Sequence, residues 1–205
     1  MSIAILGGSF DPLHNGHILL ANGTIETFAP RKVILVPTGD SPHKGQADHD
    51  MRSHRFQMCL LAAGHEGYEV SDYEIAKQTM CYTVDTVRYF SYIFEEEILF
   101  LIGCDSLNYL ETWQDFHLLA GMCNFVTLGR TPGNQKRLFE TKQKLECGYG
   151  AKIHILQKEA FEVSSSQIRE MAAAGQDINH LVPGYIGRYI KENNLYIKGG
   201  DETEK

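Results

Sequence analysis

Paired cysteines, an excess of positive charge and long apolar runs are all missing from this 205-residue chain. The five cysteines, Cys59, Cys81, Cys104, Cys123 and Cys147, are odd in number and nowhere spaced C-x-x-C. Neither a disulfide framework nor a zinc knuckle is favoured, and a reducing cytosol suits them best. Lys and Arg total 19 against 26 Asp and Glu, for a net charge of −7. Broad nucleic-acid binding needs basic residues spread along a face, so it is not expected here and any phosphate site must be local. No apolar run approaches the length of a bilayer, and no basic, apolar leader opens the chain. The expectation is a soluble cytoplasmic protein without a membrane partner. The tryptophan at Trp113 stands alone, and a single Trp is usually core or a half-buried anchor.

What is present is ordinary for a globular protein, 43% hydrophobic and 22% charged residues. That length and composition support one sizeable core, here expected as a single domain over 1–198 with a polar tail over 199–205. The spacing of apolar residues then alternates between strands and helices. Met1–Leu6, 32–36, 68–72, 98–102, 124–128 and 152–156 read as short buried strands. Helical patterns run from Asn15, over about 51–64, from Cys81–Val87 to about Phe94, and over about 134–147. This alternation predicts an α/β fold with a doubly wound, mainly parallel sheet in strand order 3-2-1-4-5-6, whose nucleotide crevice lies beyond the carboxyl ends of the first and fourth strands.

The chain is organised around the first turn, Gly7-Gly8-Ser9-Phe10-Asp11-Pro12-Leu13-His14-Asn15-Gly16-His17. Gly7 and Gly8 lack a Cβ that would keep a ligand from the backbone, and the helix that follows presents unpaired N–H groups and a positive dipole end. His14 and His17, three apart, share a helix face, and Gly16 between them leaves room for a bulky group. The imidazoles can donate to phosphate oxygens. A glycine turn with two incidental surface histidines is the bland alternative.

Further candidates lie at the other strand ends. The polar, turn-forming segment after Pro37 carries Lys44, either a solvated lysine or a phosphate ligand. Thr83 can cap the helix it begins. Asp105 after the fourth strand is either an N-cap or a group facing the histidines across the crevice. Ser164, Ser165 and Ser166 precede a good helical continuation and are either caps or, with Arg169, a second helix N-terminus meeting a phosphate chain.

The first turn resembles the G-[ST]-F-D-P-x-H-x-G-H signature of the nucleotidylyltransferases, and Val163-Ser164-Ser165-Ser166-Gln167-Ile168-Arg169 resembles their second signature, [IV]-S-S-T-x-I-R, with Ser166 in place of Thr. The Pro42-His43-Lys44 loop, Tyr82-Thr83, and Asp105-Ser106-Leu107 followed by Trp113 resemble the bacterial nicotinate-nucleotide adenylyltransferases in particular. The resemblance covers most of the chain, Pro183 at the start of a closing helix included. It implies transfer of AMP from ATP to nicotinate mononucleotide, with Mg²⁺ accompanying the ATP and no protein metal ligand named. In that reading His14, His17, Lys44 and Arg169 are catalytic. Gly7, Gly8, Ser9, Phe10, His14, His17, Asp105, Ser164, Ser165, Ser166 and Arg169 bind ATP. Lys44, Tyr82, Thr83, Asp105, Trp113 and Gln114 hold the acceptor, with Trp113 on the pyridine ring and main-chain N–H groups on its carboxylate. His43 only packs its loop, and Asp11 orients the turn or a histidine, though its position also allows it to bind metal. Thr131 between Arg130 and Pro132 departs from the family pattern and leaves Arg130 without an assigned role. A homo-oligomer is compatible with the chain. The alternatives are another adenylyl- or cytidylyltransferase, with a nicotinamide mononucleotide or phosphopantetheine acceptor, and a non-catalytic nucleotide sensor.

Overall fold

A computed structural model describes residues 1–39, 49–77, 79–129, 135–159 and 163–197. His43, Lys44 and Arg130 lie outside the described residues, and so do Thr131, Pro132 and the expected tail. The described residues contain six strands: β1 (Ser2–Gly8), β2 (Val33–Pro37), β3 (Glu69–Val70), β4 (Glu97–Leu101), β5 (Asn124–Gly129) and β6 (Lys152–Glu159). They form one sheet, parallel at every pairing, in the order β3-β2-β1-β4-β5-β6. This is the expected doubly wound sheet, and its two halves meet where β1 lies beside β4, Ile5 opposite Phe100.

Near-continuous apolar strands explain why the sheet is covered on both faces. Ala4 and Leu6 of β1 point to one side, where they join Leu35, Leu99 and Leu101. That side is covered by α1 (Asn15–Phe28), α2 (His49–Glu66), α7 (Ser165–Ala173) and α8 (Gly184–Glu192), through residues such as Leu20, Met58, Ile168 and Ile186. Ile3 and Ile5 point the other way, to Phe100 and Phe125. Val84, Val87 and Phe90 of α3 (Thr83–Phe94), Leu119 of α5 (Phe116–Met122), and Leu138 and Leu145 of α6 (Gln135–Tyr149) close that side. A short α4 (Cys104–Leu107) follows β4. No helix among the described residues is long and apolar enough to cross a membrane.

Several boundaries differ from the sequence expectation: β1 runs to Gly8 and not to Leu6, and β6 to Glu159 and not to Leu156. Only Glu69 and Val70 pair as β3, with one further bond from the Ser71 N–H to the Leu35 carbonyl at 2.9 Å; the chain then turns over 73–76, where the Ala76 N–H donates to the Asp72 carbonyl. Pro183 is the N-cap of α8 and not part of its first turn, because its ψ of 144° is still extended.

Candidate active site

The first turn leaves β1 at the carboxyl edge of the sheet, at the switch point. Phe10 adopts φ 49° and its ring is completely buried, a left-handed backbone that a non-glycine residue holds only when packing over-determines it. The glycines make that packing possible. A Cβ on Gly8 would stand 3.3 Å from the Phe10 ring, and one on Gly7 would stand 3.2 Å from the Phe100 ring. On Gly16 it would meet the His14 ring at 3.1 Å and Val163 at 3.3 Å. The room expected there for a bulky ligand is thus taken by the protein's own side chains.

Both histidines sit at the N-terminus of α1. His14 is its N-cap in extended conformation, and its backbone N–H donates to His17 Nδ1 at 3.1 Å. This is the backward half of a capping box, with an imidazole in the role usually taken by Glu. The rings stack with centroids 3.7 Å apart and 26° between planes, and His17 meets Phe10 edge-on at 5.0 Å. Since Nδ1 of His17 accepts, its ring proton sits on Nε2, the nitrogen turned away from the backbone. His14 is buried, and burial pushes its imidazole down to about 4. It is a neutral group at neutral pH, and its Nδ1 has no hydrogen-bond partner among the described residues.

The structure brings the second signature onto the first. Ser165 Oγ donates to the Pro12 carbonyl at 3.0 Å, and Arg169 donates from one terminal nitrogen to the Asp11 carbonyl at 2.8 Å and from the other to Ser166 Oγ at 3.2 Å. The Asp11 carboxylate lies 3.5 Å from that guanidinium and accepts the Tyr196 hydroxyl at 2.8 Å. Ser164 is the N-cap of α7 and accepts from the Gln167 N–H at 3.2 Å. Capping is therefore its structural role, and the other two serines tie α7 to the turn and to Arg169. Asp11 orients the turn, as expected, and does so through the arginine and the tyrosine.

Arg55, which the sequence places on the second helix without a site role, also belongs to this arrangement. It is buried, and donates to the Ser9 carbonyl at 2.8 Å. Burial lowers its pKa, with the Asp11 charge opposing that shift. A signal was present: Arg55 is in phase with the buried Met58, Cys59 and Ala62, and a charge on the buried stripe of a helix needs a polar partner.

Around the expected acceptor pocket the picture is mixed. Tyr82, and not Thr83, is the N-cap of α3, and it makes no side-chain capping bond. Thr83 already has helical backbone, one position too late to cap. Gly103 likewise is the N-cap of α4 and places the exposed Asp105 in its first turn. Tyr82 and Trp113 are both half-buried against the same core cluster, and Gln114 is exposed. Trp113 stands edge-on to Phe100, with centroids 6.3 Å apart and planes at 90°. One ring therefore touches both the space left by Gly7 and the indole. Beneath α3 the buried Glu74 accepts the Thr86 hydroxyl at 2.6 Å and a Gly39 backbone hydrogen bond, and burial raises its pKa. Among the described residues no three His, Cys, Asp or Glu side chains group so as to hold a metal, and the Asp11 carboxylate is already engaged by Tyr196 and Arg169.

Known proteins resemble the chain over most of its length. The profile of the cytidylyltransferase-like family matches residues 5–171. A curated relative from Thermoanaerobacter sp. (strain X514), named "Probable nicotinate-nucleotide adenylyltransferase", is 35% identical over 201 residues, covering 97% of this chain and 95% of its own. One of the same name from Moorella thermoacetica is 36% identical over 197 residues, covering 95% and 91%. Among solved structures, the nicotinic acid mononucleotide adenylyltransferase of Plasmodium falciparum complexed with NaAD aligns with a TM-score of 0.76 at 19% identity, over 95% of this chain and 97% of that one. At that identity the likeness is one of fold.

Proposed function

The chain belongs to the cytidylyltransferase-like family and, within it, to the nicotinate-nucleotide adenylyltransferases, and from that membership we propose that it transfers AMP from ATP to nicotinate mononucleotide, giving deamido-NAD and pyrophosphate in the cytoplasm. The observation that carries this reading to the residues is the meeting of two helix N-termini at one turn: the stacked His14 and His17 on α1, and Arg169 of α7 held on Asp11.

The acceptor needs no activating base. A phosphate monoester has a second pKa near ~6, so at neutral pH it already presents an anionic oxygen to the α-phosphorus. The protein has to align the attack and stabilise charge on the triphosphate. His17 donates from Nε2 to the phosphate oxygens, and its cap bond fixes the ring so that this donor needs no reorganisation as pyrophosphate leaves. His14 stands beside it as a neutral imidazole, a donor that adds no charge of its own. Arg169 makes two hydrogen bonds within the protein and has further N–H groups for a phosphate. Lys44 is placed here by its motif alone. Mg²⁺ enters with ATP as the metal–nucleotide substrate and keeps most of its coordination as water and phosphate oxygen; Asp11, tied up as it is, does not fit as a ligand. On the acceptor side Trp113 offers its indole face to the pyridine, while Tyr82-Thr83 and Gln114 offer main-chain N–H groups to the carboxylate.

The test is pyrophosphate release with Mg·ATP and either nicotinate or nicotinamide mononucleotide, measured side by side, with CTP as a second donor arm. Preference for ATP and the acid is expected. Release with the amide alone, with CTP alone, or with neither acceptor would refute the assignment.

A further inference from the structure

Tyr196 lies 185 residues from Asp11 along the chain, yet its hydroxyl donates to Asp11 Oδ1 at 2.8 Å. The backbone that delivers it is unusual: Tyr196 has φ 65° and Asn194, two residues earlier, has φ 50°. A bulky residue holds a left-handed conformation only where the surroundings enforce it, and such residues cluster where geometry serves function. The other Asp11 oxygen lies 3.5 Å from the Arg169 guanidinium, which is itself fixed by the Asp11 carbonyl and Ser166 Oγ. Burial and the adjacent Asp11 charge push the Tyr196 phenol far up, so it remains a donor.

Without that donor the Asp11 carboxylate is left with Arg169 as its ion-pair partner, the buried Arg55 guanidinium being tied to the Ser9 carbonyl and acting on Asp11 through its charge, and a carboxylate beside a guanidinium prefers the two-pronged pairing that engages both oxygens. Such a pairing would draw the guanidinium onto Asp11 and take its outer N–H groups away from a phosphate. We infer that Tyr196 is a positioning residue for adenylyl transfer: by occupying one Asp11 oxygen, it keeps the Arg169 guanidinium aimed at the ATP phosphates. This rests on the proposed role of Arg169. It makes the segment after α8 a working part of the ATP site and assigns it no role toward the acceptor.

The variant Tyr196→Phe removes only the hydroxyl. The KM for ATP should rise and kcat fall so that kcat/KM for ATP drops about tenfold, with KM for nicotinate mononucleotide kept within about twofold. In an Arg169→Ala background the same change should cost nothing further, because the hydroxyl acts through the arginine. Wild-type kcat/KM for ATP in Tyr196→Phe would overturn the inference. So would a full additional loss in the Arg169→Ala background, or an equal loss toward both substrates accompanied by a lower melting temperature. Calorimetric binding of α,β-methylene ATP keeps this test separate from the reaction itself. Should the wild-type protein release no pyrophosphate, the functional proposal fails, and weaker binding of that analogue by Tyr196→Phe than by wild type still decides the role of Tyr196; equal binding overturns it.

Discussion

His17 has two jobs that one substitution series can separate. Its Nδ1 accepts the His14 N–H at 3.1 Å, and in the proposed reaction its Nε2–H is the donor for the departing pyrophosphate. Alanine removes both. Losing a cap acceptor costs about 1 kcal/mol, with a range of ~0.5–2. For a chain of this size each kcal/mol moves the melting temperature by about 2–4 °C, so His17→Ala should melt roughly 1–8 °C lower. Losing a donor aimed at developing charge lowers turnover by about 10²–10³, or ~3–4 kcal/mol. Asparagine places its amide oxygen near the position of Nδ1 and reaches no further, so His17→Asn should melt above His17→Ala while turning over as slowly. Glutamine reaches the Nε2 position and should recover part of the turnover without the cap. All three variants lose the ring stack on His14 and the edge contact with Phe10, so the comparison of asparagine with alanine isolates the cap. Differential scanning fluorimetry and steady-state pyrophosphate release read the two effects. Wild-type turnover in His17→Asn would refute the donor role, and equal melting of the asparagine and alanine variants would refute the cap.

The remaining predictions concern pH, the acceptor and the strand-to-loop junction. His14 falls from 6.5 to about 4 in the folded protein. Unfolded chains therefore take up this proton below 6.5 and folded ones do not until about 4. The contribution is fully present above 6.5 and is lost as pH falls through 4, a total of about 3 kcal/mol. Urea unfolding at a series of pH values should show that slope in the wild type and a shallower one in His14→Gln; parallel slopes would mean that the ring protonates freely when folded. Trp113→Ala should raise KM for nicotinate mononucleotide about tenfold, the usual worth of one stacked ring, and leave KM for ATP within about twofold. A loss falling on ATP would move Trp113 to the other pocket. At Gly39 an added Cβ would overlap the Glu74 carbonyl oxygen and stand 3.2 Å from Cys81 Sγ. Because the obstacle is backbone, Gly39→Ala should destabilise by about 1–3 kcal/mol; an unchanged urea midpoint would show that the Glu74 segment yields.

The sheet was legible because its strands carry their own evidence. Val33–Pro37 is buried at every position, and a continuous apolar run between turn residues has few other uses. Helix starts were less legible. The sequence points to side chains that can cap, but the N-cap is fixed by where the backbone turns helical. At α3 and α4 that position belongs to Tyr82 and Gly103, each making no side-chain capping bond; Thr83 and Asp105 begin one and two residues too late. At Ser164 side chain and backbone agree, and of the two roles the sequence leaves open there the cap is the one visible in the fold.

The site divides along the same line, between what a residue is and what holds it. The two histidines and the arginine of the signatures are recognisable because phosphate chemistry restricts the residue types that can serve. Their restraints come from elsewhere in the chain: Arg55 on the Ser9 carbonyl at a separation of 46 residues, and Arg169 and Tyr196 on Asp11 at 158 and 185. Arg55 betrays itself as a charge on a buried helix stripe. Tyr196 carries no such mark, since a tyrosine near a chain end is unremarkable until a left-handed turn brings its hydroxyl to a carboxylate. Gly16 works in the opposite direction. Read locally, it leaves room for a bulky group; in the fold a Cβ there would meet His14 and Val163. The turn is thus packed by the protein's own side chains, with the Phe10 and Phe100 rings against its glycines and the Ser9 and Asp11 carbonyls held by two arginines. In the proposed transfer, donors fixed in this way lose little freedom when charge develops on the phosphates.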